Sequence, residues 1–171
     1  FPGCDSAGVV QSVGEGVDAF SVGDRVWCTN QGLLGRQGTF SEQVAVDAQW
    51  CYRLPDEVDF ETAAANALVG VTALLGLFRC ANIEPGETFL VIGGTGGVGA
   101  MVVQMAKATG LTVITTARDQ ARCARAKDLG ADHVINYSQH SISDVTRELA
   151  PKGVNVLWET RRMPDFDEAV D

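Results

Sequence analysis

The residues best suited to chemistry lie in a glycine-rich stretch, "TFLVIGGTGGVGAM", at positions 88–101. Within it, residues 94–99 follow the pattern G-x-G-x-x-G, with glycines at Gly94, Gly96 and Gly99. In a dinucleotide-binding loop the first glycine permits a tight turn, the second lets the backbone approach a pyrophosphate, and the third lets the next helix pack closely on the strand. The stretch therefore predicts a dinucleotide site, against the alternative of a glycine-rich turn that merely packs.

Two arginines and an aspartate follow at the distance where a cofactor ribose is recognised. An NAD site usually has an acidic residue about 20 positions after the glycines, bonded to the ribose 2′-hydroxyl. Here that place is taken by Arg118, with Asp119 next and Arg122 on the following turn. Arginines can form bidentate pairs with a 2′-phosphate, or can simply be solvated, whereas Asp119 suits a helix N-cap. This pattern favours NADP(H).

These side chains must be positioned by the alternating strands and helices that surround them. Apolar runs predict strands over 88–93, 111–117, 132–136 and 154–158. Amphipathic runs predict helices over 97–109, 119–130 and 141–150. Strands that alternate with helices imply βαβ units and a parallel sheet.

The first part of the chain has a different pattern. Residues 1–57 contain β-branched runs cut by glycines, at 7–14, 23–28 and 38–46, which predict short antiparallel strands of a barrel. A helix is expected over 60–78, weakened at Gly70. The fold class is therefore α/β, with a β-rich part over 1–57 and a parallel sheet over 58–171.

Composition excludes some partners. The formal net charge of -9 argues against nucleic acid as the main partner, because an acidic surface repels phosphates. No apolar run reaches the ~20 residues of a membrane span, so no membrane partner is expected. Five scattered cysteines are typical of a reduced, cytoplasmic protein. We expect the chain to be a piece of a longer protein.

Several longer motifs carry a family resemblance. They are "PGCDSAGVVQSVGEGVDAFSVGDRV" at 2–26, "GTFSEQVAVDA" at 38–48, "LPDEVDFETAAA" at 54–65 and "LGADHVINY" at 129–137. In this order they resemble the medium-chain dehydrogenase/reductases, most of all the zinc-independent quinone oxidoreductases of the zeta-crystallin type. The resemblance implies part of a GroES-like catalytic domain over 1–57, followed by the first four strands of a Rossmann NADP-binding domain over 58–171.

The resemblance also implies roles for single residues. It places the pyrophosphate loop at Gly96, Gly97, Val98 and Gly99. It places Arg118 beside the adenosine ribose and Arg122 near the 2′-phosphate. Tyr137 matches an adenosine-phosphate contact, or is an edge aromatic after a strand. Thr72 falls on a helix near the nicotinamide, or is a helix-packing hydroxyl.

Two departures from relatives bear on the chemistry. Zinc alcohol dehydrogenases have G-H-E where this chain has Gly3-Cys4-Asp5, and the two histidines lie in the Rossmann part, at 133 and 140. With no four-cysteine lobe either, a metal-free protein is expected. Arg161 and Arg162 replace a small turn on the nicotinamide side, where they would bind an acidic substrate or be solvated.

The implied function is that of an NADPH-dependent, zinc-independent oxidoreductase. It would pass a hydride from the nicotinamide to a quinone or an α,β-unsaturated carbonyl, as a homodimer or homotetramer. An enoyl reductase, free or within a synthase, would carry the same motifs. A cofactor-binding structural protein, like the lens crystallins of this family, is a third alternative, which turnover would distinguish.

Overall fold

The computed structural model describes residues 2–159, and the chain divides into two compact units. Unit 1 is Phe1–Val71 and unit 2 is Thr72–Asp171. Each unit has its own sheet, and the two sheets differ in strand direction.

Unit 1 contains a three-stranded antiparallel sheet in the order β1-β2-β3. The strands are β1 (Ser6–Val9), β2 (Arg25–Cys28) and β3 (Cys51–Arg53). The cross-strand partners Trp27 and Tyr52 stack with ring centroids 4.7 Å apart, as aromatic pairs do on one face of a sheet. The predicted antiparallel, β-rich character of this part is confirmed.

One predicted strand of unit 1 is wrong. Residues 38–46 form no strand, and the third strand is β3 instead. The backbone N–H groups of Thr39 and Phe40 donate to the carbonyls of Gly3 and Pro2, at 3.3 and 3.0 Å. Two long-range backbone bonds therefore hold this segment, and they are too few to form a strand ladder.

Helix α1 (Phe60–Leu74) follows and continues without a break as a π-helical segment, Leu75–Cys80. Its start is fixed by Asp59, whose carboxylate accepts the Thr62 N–H at 2.7 Å and the Thr62 hydroxyl at 2.8 Å. These bonds hold the pKa of Asp59 below its ordinary value. Gly70 does not end the helix.

The continuous helix Phe60–Cys80 has 21 residues and is long and apolar enough to cross a membrane by length and composition alone. The sequence predicted this helix over 60–78, and in the structure it extends two residues further, to Cys80. Core helices meet the same criterion, so this property does not by itself assign the segment to a membrane.

Unit 2 contains a four-stranded parallel sheet in the order β6-β5-β4-β7. The strands are β4 (Thr88–Ile92), β5 (Thr112–Ala117), β6 (His133–Asn136) and β7 (Val156–Glu159). The helices between them are α2 (Gly97–Thr109), α3 (Gln120–Asp128) and α4 (Ile142–Leu149). This is the order 3-2-1-4 of a Rossmann sheet, so the predicted fold class is confirmed.

The core of unit 2 covers both faces of its sheet. Side chains of β4 alternate between the faces. Phe89 and Val91 pack with Val103 of α2 on one face, and Leu90 and Ile92 contribute to a second cluster on the other. At Gly76 of the π-helical segment a Cβ would collide with the indole of Trp158, so the absence of a side chain there makes room for the ring.

Candidate functional site

A cleft of about 220 Å³ lies beside the carboxyl ends of β4, β5 and β6. In open α/β sheets this is the edge where ligands bind. Its lining brings together Gly96, Arg118, Arg122 and Tyr137 of the predicted set. The other lining residues, which the sequence did not single out, are Gly93, Thr95, Thr116 and Ala117.

The turn after β4 depends on two adjacent glycines with different tasks. Gly93 has φ 87°, a left-handed conformation that favours glycine. Gly94 is buried, and a Cβ there would collide with the Thr115 hydroxyl and come within 2.9 Å of the Val103 side chain. The motif predicted that Gly94 permits the tight turn, but the residue with the left-handed backbone is Gly93. Gly94 instead leaves room for the Thr115 and Val103 side chains.

The other two motif glycines differ in how much space surrounds them. Gly96 has an extended backbone, φ -75° and ψ 173°, and a Cβ there would meet only the Gly93 carbonyl oxygen, at 3.4 Å. At Gly99 a Cβ would collide with the same carbonyl and lie 2.9 Å from the Cα of Gly94. Gly99 lets α2 pack on the turn, whereas Gly96 is exposed and its neighbourhood is open.

The start of α2 presents backbone donors beside this opening. The first helical bond runs from the Ala100 N–H to the Gly96 carbonyl at 2.8 Å. The N–H groups of Gly97, Val98 and Gly99 therefore have no partner within the helix. The helix dipole adds a partial positive charge at this end, which favours an anion.

The two arginines converge on one carboxylate. Asp119 is the N-cap of α3 and accepts the Arg122 N–H at 2.9 Å, which confirms its predicted capping role. The Nε atoms of Arg118 and Arg122 lie 4.0 and 3.9 Å from the same carboxylate. Because both arginine side chains are more than half exposed, they remain open to an outside anion.

Hydrogen bonds join the carboxyl ends of β5 and β6 next to Arg118. The Tyr137 N–H donates to the Ala117 carbonyl at 3.1 Å, and the Ser138 hydroxyl donates to the Arg118 carbonyl at 2.7 Å. The buried Thr116 hydroxyl accepts the Gly93 N–H at 3.0 Å, tying the glycine turn to β5. Two adjacent threonines, Thr115 and Thr116, in the otherwise apolar buried part of β5 are the sequence signal for this contact.

Other predicted residues lie apart from the cleft or outside the description. Thr72 is an exposed residue of α1 and is not among the residues that line the cleft. Arg161 and Arg162 lie outside the described residues. Within residues 2–159, no three His, Cys, Asp or Glu side chains form a group that could hold a metal ion.

Family models match both units. The model of the alcohol dehydrogenase GroES-like domain matches residues 1–56, and that of the zinc-binding dehydrogenases matches residues 97–171. An antiparallel segment of the first kind, followed by a Rossmann-type sheet, defines a protein of the dehydrogenase/reductase class.

The individual relatives that this chain is similar to are mainly quinone oxidoreductases and related reductases. A quinone oxidoreductase of Salmonella typhimurium is 36% identical over 99% of this chain and 51% of its own length. A 2-haloacrylate reductase of a Burkholderia species is 33% identical over 99% of this chain and 50% of its own. The Escherichia coli quinone oxidoreductase, solved in complex with NADPH, superposes with a TM-score of 0.80 at 34% identity, over 88% of this chain and 45% of that one.

The chain belongs to the medium-chain dehydrogenase/reductase superfamily, in its quinone oxidoreductase branch, which confirms the resemblance. It spans about half the length of the curated relatives it matches.

Proposed function

We propose that the protein containing this chain is an NADPH-dependent oxidoreductase that reduces quinones or α,β-unsaturated carbonyls. The observation that carries the proposal is one cleft that combines an open glycine, Gly96, with two arginines and a tyrosine at the ends of adjacent strands. The names of the relatives support the substrate class, since one reduces quinones and another a haloacrylate, which is an α,β-unsaturated acid.

The cleft suits the phosphate and adenosine end of the cofactor. At about 220 Å³ it is smaller than the roughly 300–1,000 Å³ of a complete small-molecule site, so it would hold only part of a dinucleotide. The free amides at the start of α2, from Gly97 to Gly99, would receive the pyrophosphate. Gly94, which lacks a side chain, would let the loop pack closely on Thr115 and Val103.

The arginines would select the phosphorylated cofactor. Arg122 stands on the first turn of α3 and Arg118 at the end of β5, with their Nε atoms at a similar distance from Asp119. An incoming 2′-phosphate would exchange long, exposed contacts with Asp119 for bidentate bonds to two guanidinium groups. Tyr137 would cover the adenosine side. We keep Thr72 as a residue proposed to lie near the nicotinamide.

Hydride transfer is the chemistry that the bound cofactor supplies, and the protein binds, orients and shields it. No described residue is assigned as a proton donor. We propose that the reaction needs no metal. The purified full-length protein should then contain no stoichiometric zinc, and chelation should leave turnover unchanged. One zinc per chain, lost together with activity, would contradict this.

The decisive experiment compares two arginines of α3. The full-length protein should bind NADPH at least about tenfold more tightly than NADH, roughly 1.4 kcal/mol, in fluorescence titrations. Arg122→Ala should reduce that ratio toward one, because the 2′-phosphate loses a partner. Arg125→Ala removes an exposed arginine of the same helix that does not line the cleft, and should leave the ratio unchanged.

Equal dissociation constants for NADPH and NADH would contradict the cofactor assignment. Normal NADPH binding without oxidation by any quinone or enone would instead favour a structural, crystallin-like role. A cytoplasmic location, an assembly of two or four copies, and the absence of membrane and nucleic-acid partners stay predictions from the sequence and the family resemblance.

A further inference from the structure

Two cysteines of unit 1 face each other across neighbouring strands. Cys28 ends β2, Cys51 begins β3, and the two are direct register partners in the antiparallel ladder. Directly opposed residues project from the same face of a sheet. Both thiols are free in the structure.

The hydrogen-bonding pattern puts this pair at the closer of the two spacings in an antiparallel sheet. The Leu54 N–H donates to the Arg25 carbonyl at 2.9 Å, so Arg25 and Leu54 form a hydrogen-bonded pair. Pairs alternate along the ladder, which makes Cys28 and Cys51 a non-hydrogen-bonded pair with Cα atoms about 4.5 Å apart. That distance falls within the range of about 4.4–6.8 Å over which disulfides form.

Cys28 also has a register partner on its other side, in β1. Ser6 is its partner on β1, and the Ser6 hydroxyl lies 3.1 Å from the Cys28 sulfur. Three short side chains, Ser6, Cys28 and Cys51, thus form a row across the sheet. Trp27 and Tyr52 stack on the opposite face, which fixes the register. No other strand pairing of the described residues joins two cysteines.

The surroundings of the two cysteines favour the thiol form over the thiolate. Cys28 is 3% exposed, and burial raises the pKa of its thiol. Burial also raises the pKa of Cys51, and the neighbouring Cys28 adds to this effect. Cys51 is only half-buried, so it is the sulfur that a reagent reaches first.

We propose that Cys28 and Cys51 are a modification site at which a peroxide forms a reversible cross-strand disulfide. The Cys51 thiolate attacks one oxygen of the peroxide, the O–O bond breaks, and Cys51 becomes a sulfenic acid with release of water. The Cys28 thiolate then attacks the Cys51 sulfur, and the S–O bond breaks. In sum, two thiols and one hydrogen peroxide yield one disulfide and two waters.

The bond would close the segment between β2 and β3 into a ring. This segment carries three buried polar side chains, Thr29, Gln31 and Thr39, in a connection of irregular backbone. A cross-link at its base restricts the unfolded chain and should make unit 1 open less readily. The proposal concerns unit 1 alone and does not rest on the cofactor site of unit 2.

Peptide mapping of the full-length protein tests the bond directly. A Cys80→Ser background removes an exposed thiol that could link two molecules. After treatment with hydrogen peroxide, a nonreducing tryptic digest should contain peptides 26–36 and 37–53 as one disulfide-linked species in more than half of the chains. The number of free thiols in this chain should fall by two, and dithiothreitol should restore both.

Matched variants and an internal standard make the result decisive. Cys51→Ser should abolish the linked species, whereas Cys4→Ser should leave it unchanged. Cys123 is also half-buried and is not opposed to another cysteine, so it reports how far oxidation has gone. The proposal is overturned if Cys123 is oxidised while Cys28 and Cys51 remain thiols. It is equally overturned if Cys51 ends as a sulfinic acid without a link to Cys28.

Discussion

In unit 2 the strands β4 and β5 are buried along almost their whole length, whereas no strand of unit 1 has more than one fully buried residue. The sheet of unit 2 is covered by apolar side chains on both faces, as parallel sheets require. Burial of that kind is the largest favourable contribution to folding. The described part of unit 2 therefore contains a core of its own.

Contacts of charged and polar side chains hold unit 1 together to a larger extent than they do unit 2. All three of its arginines lie over aromatic rings, Arg25 over Phe60 at 4.7 Å, Arg36 over Trp50 at 4.9 Å and Arg53 over Phe20 at 5.5 Å. Its buried side chains include threonines and a glutamine. The geometry of unit 1 therefore depends on directional contacts, each of which a single substitution can remove.

The largest effect is expected in the core of unit 2. Phe89 is fully buried at the centre of the sheet, so Phe89→Ala should lower the free energy of unfolding by about 3–5 kcal/mol. Phe40→Ala is the matched change in unit 1, where the ring is 74% exposed. It should change the free energy of unfolding by no more than about 0.5 kcal/mol. Chemical denaturation measures both. Similar losses at the two positions would remove the contrast between the units.

A second effect separates two glycines of the cofactor loop. Gly99→Ala should lower the free energy of unfolding by about 3 kcal/mol, because its Cβ meets the backbone of Gly93 and Gly94. Gly96→Val should melt near the wild-type temperature but lose NADPH binding, since its side chain fills the open side of the loop. Thermal melts and NADPH titrations on the same samples check this. A Gly96→Val protein that binds normally would exclude the loop from the site.

A third effect tests whether directional contacts hold unit 1. Arg25 donates to the Pro55 and Val58 carbonyls at 2.8 and 2.7 Å, and stacks on Phe60. Arg25→Ala should cost about 2 kcal/mol in the free energy of unfolding. Arg25→Lys keeps the charge but not the planar fork, and should recover only part of it. If lysine restores full stability, charge alone accounts for the contact.

The smallest effect is a pH dependence in unit 2. Burial disfavours the ionised form of Asp132, but bonds from the Lys107 ammonium and the Val113 N–H outweigh it and hold the pKa of Asp132 below its ordinary 3.8. A lowered pKa stabilises the fold above pH 3.8, and this stability is lost as the pH falls through the lower, folded-state value. Asp132→Asn should lower the free energy of unfolding by about 1 kcal/mol at pH 7. It should also weaken the dependence of that free energy on pH in the acid range. An unchanged dependence in that range would assign it to other carboxylates.

The sequence predicted unit 2 better than unit 1 for a physical reason. Local periodicity decides where a buried strand or an amphipathic helix lies, and α2 begins and ends where the pattern put it. In unit 1 the segment 38–46 had a strand pattern, but Thr39 and Phe40 bond to residues far away in sequence, which no local pattern reveals. At the cleft, the spacing of the arginines predicted their position, whereas no local pattern shows that Gly93 rather than Gly94 is left-handed.

The packing of Trp158 against Gly76 also has an optical consequence. Trp158 is the only indole after Val71, while Trp27 and Trp50 precede it. Replacing those two with phenylalanine would leave a single tryptophan in this chain, half-buried against the helix at Gly76. Its emission would then report the opening of unit 2 alone. In that variant, Trp158 of β7 would let the unfolding of unit 2 be followed separately from that of unit 1.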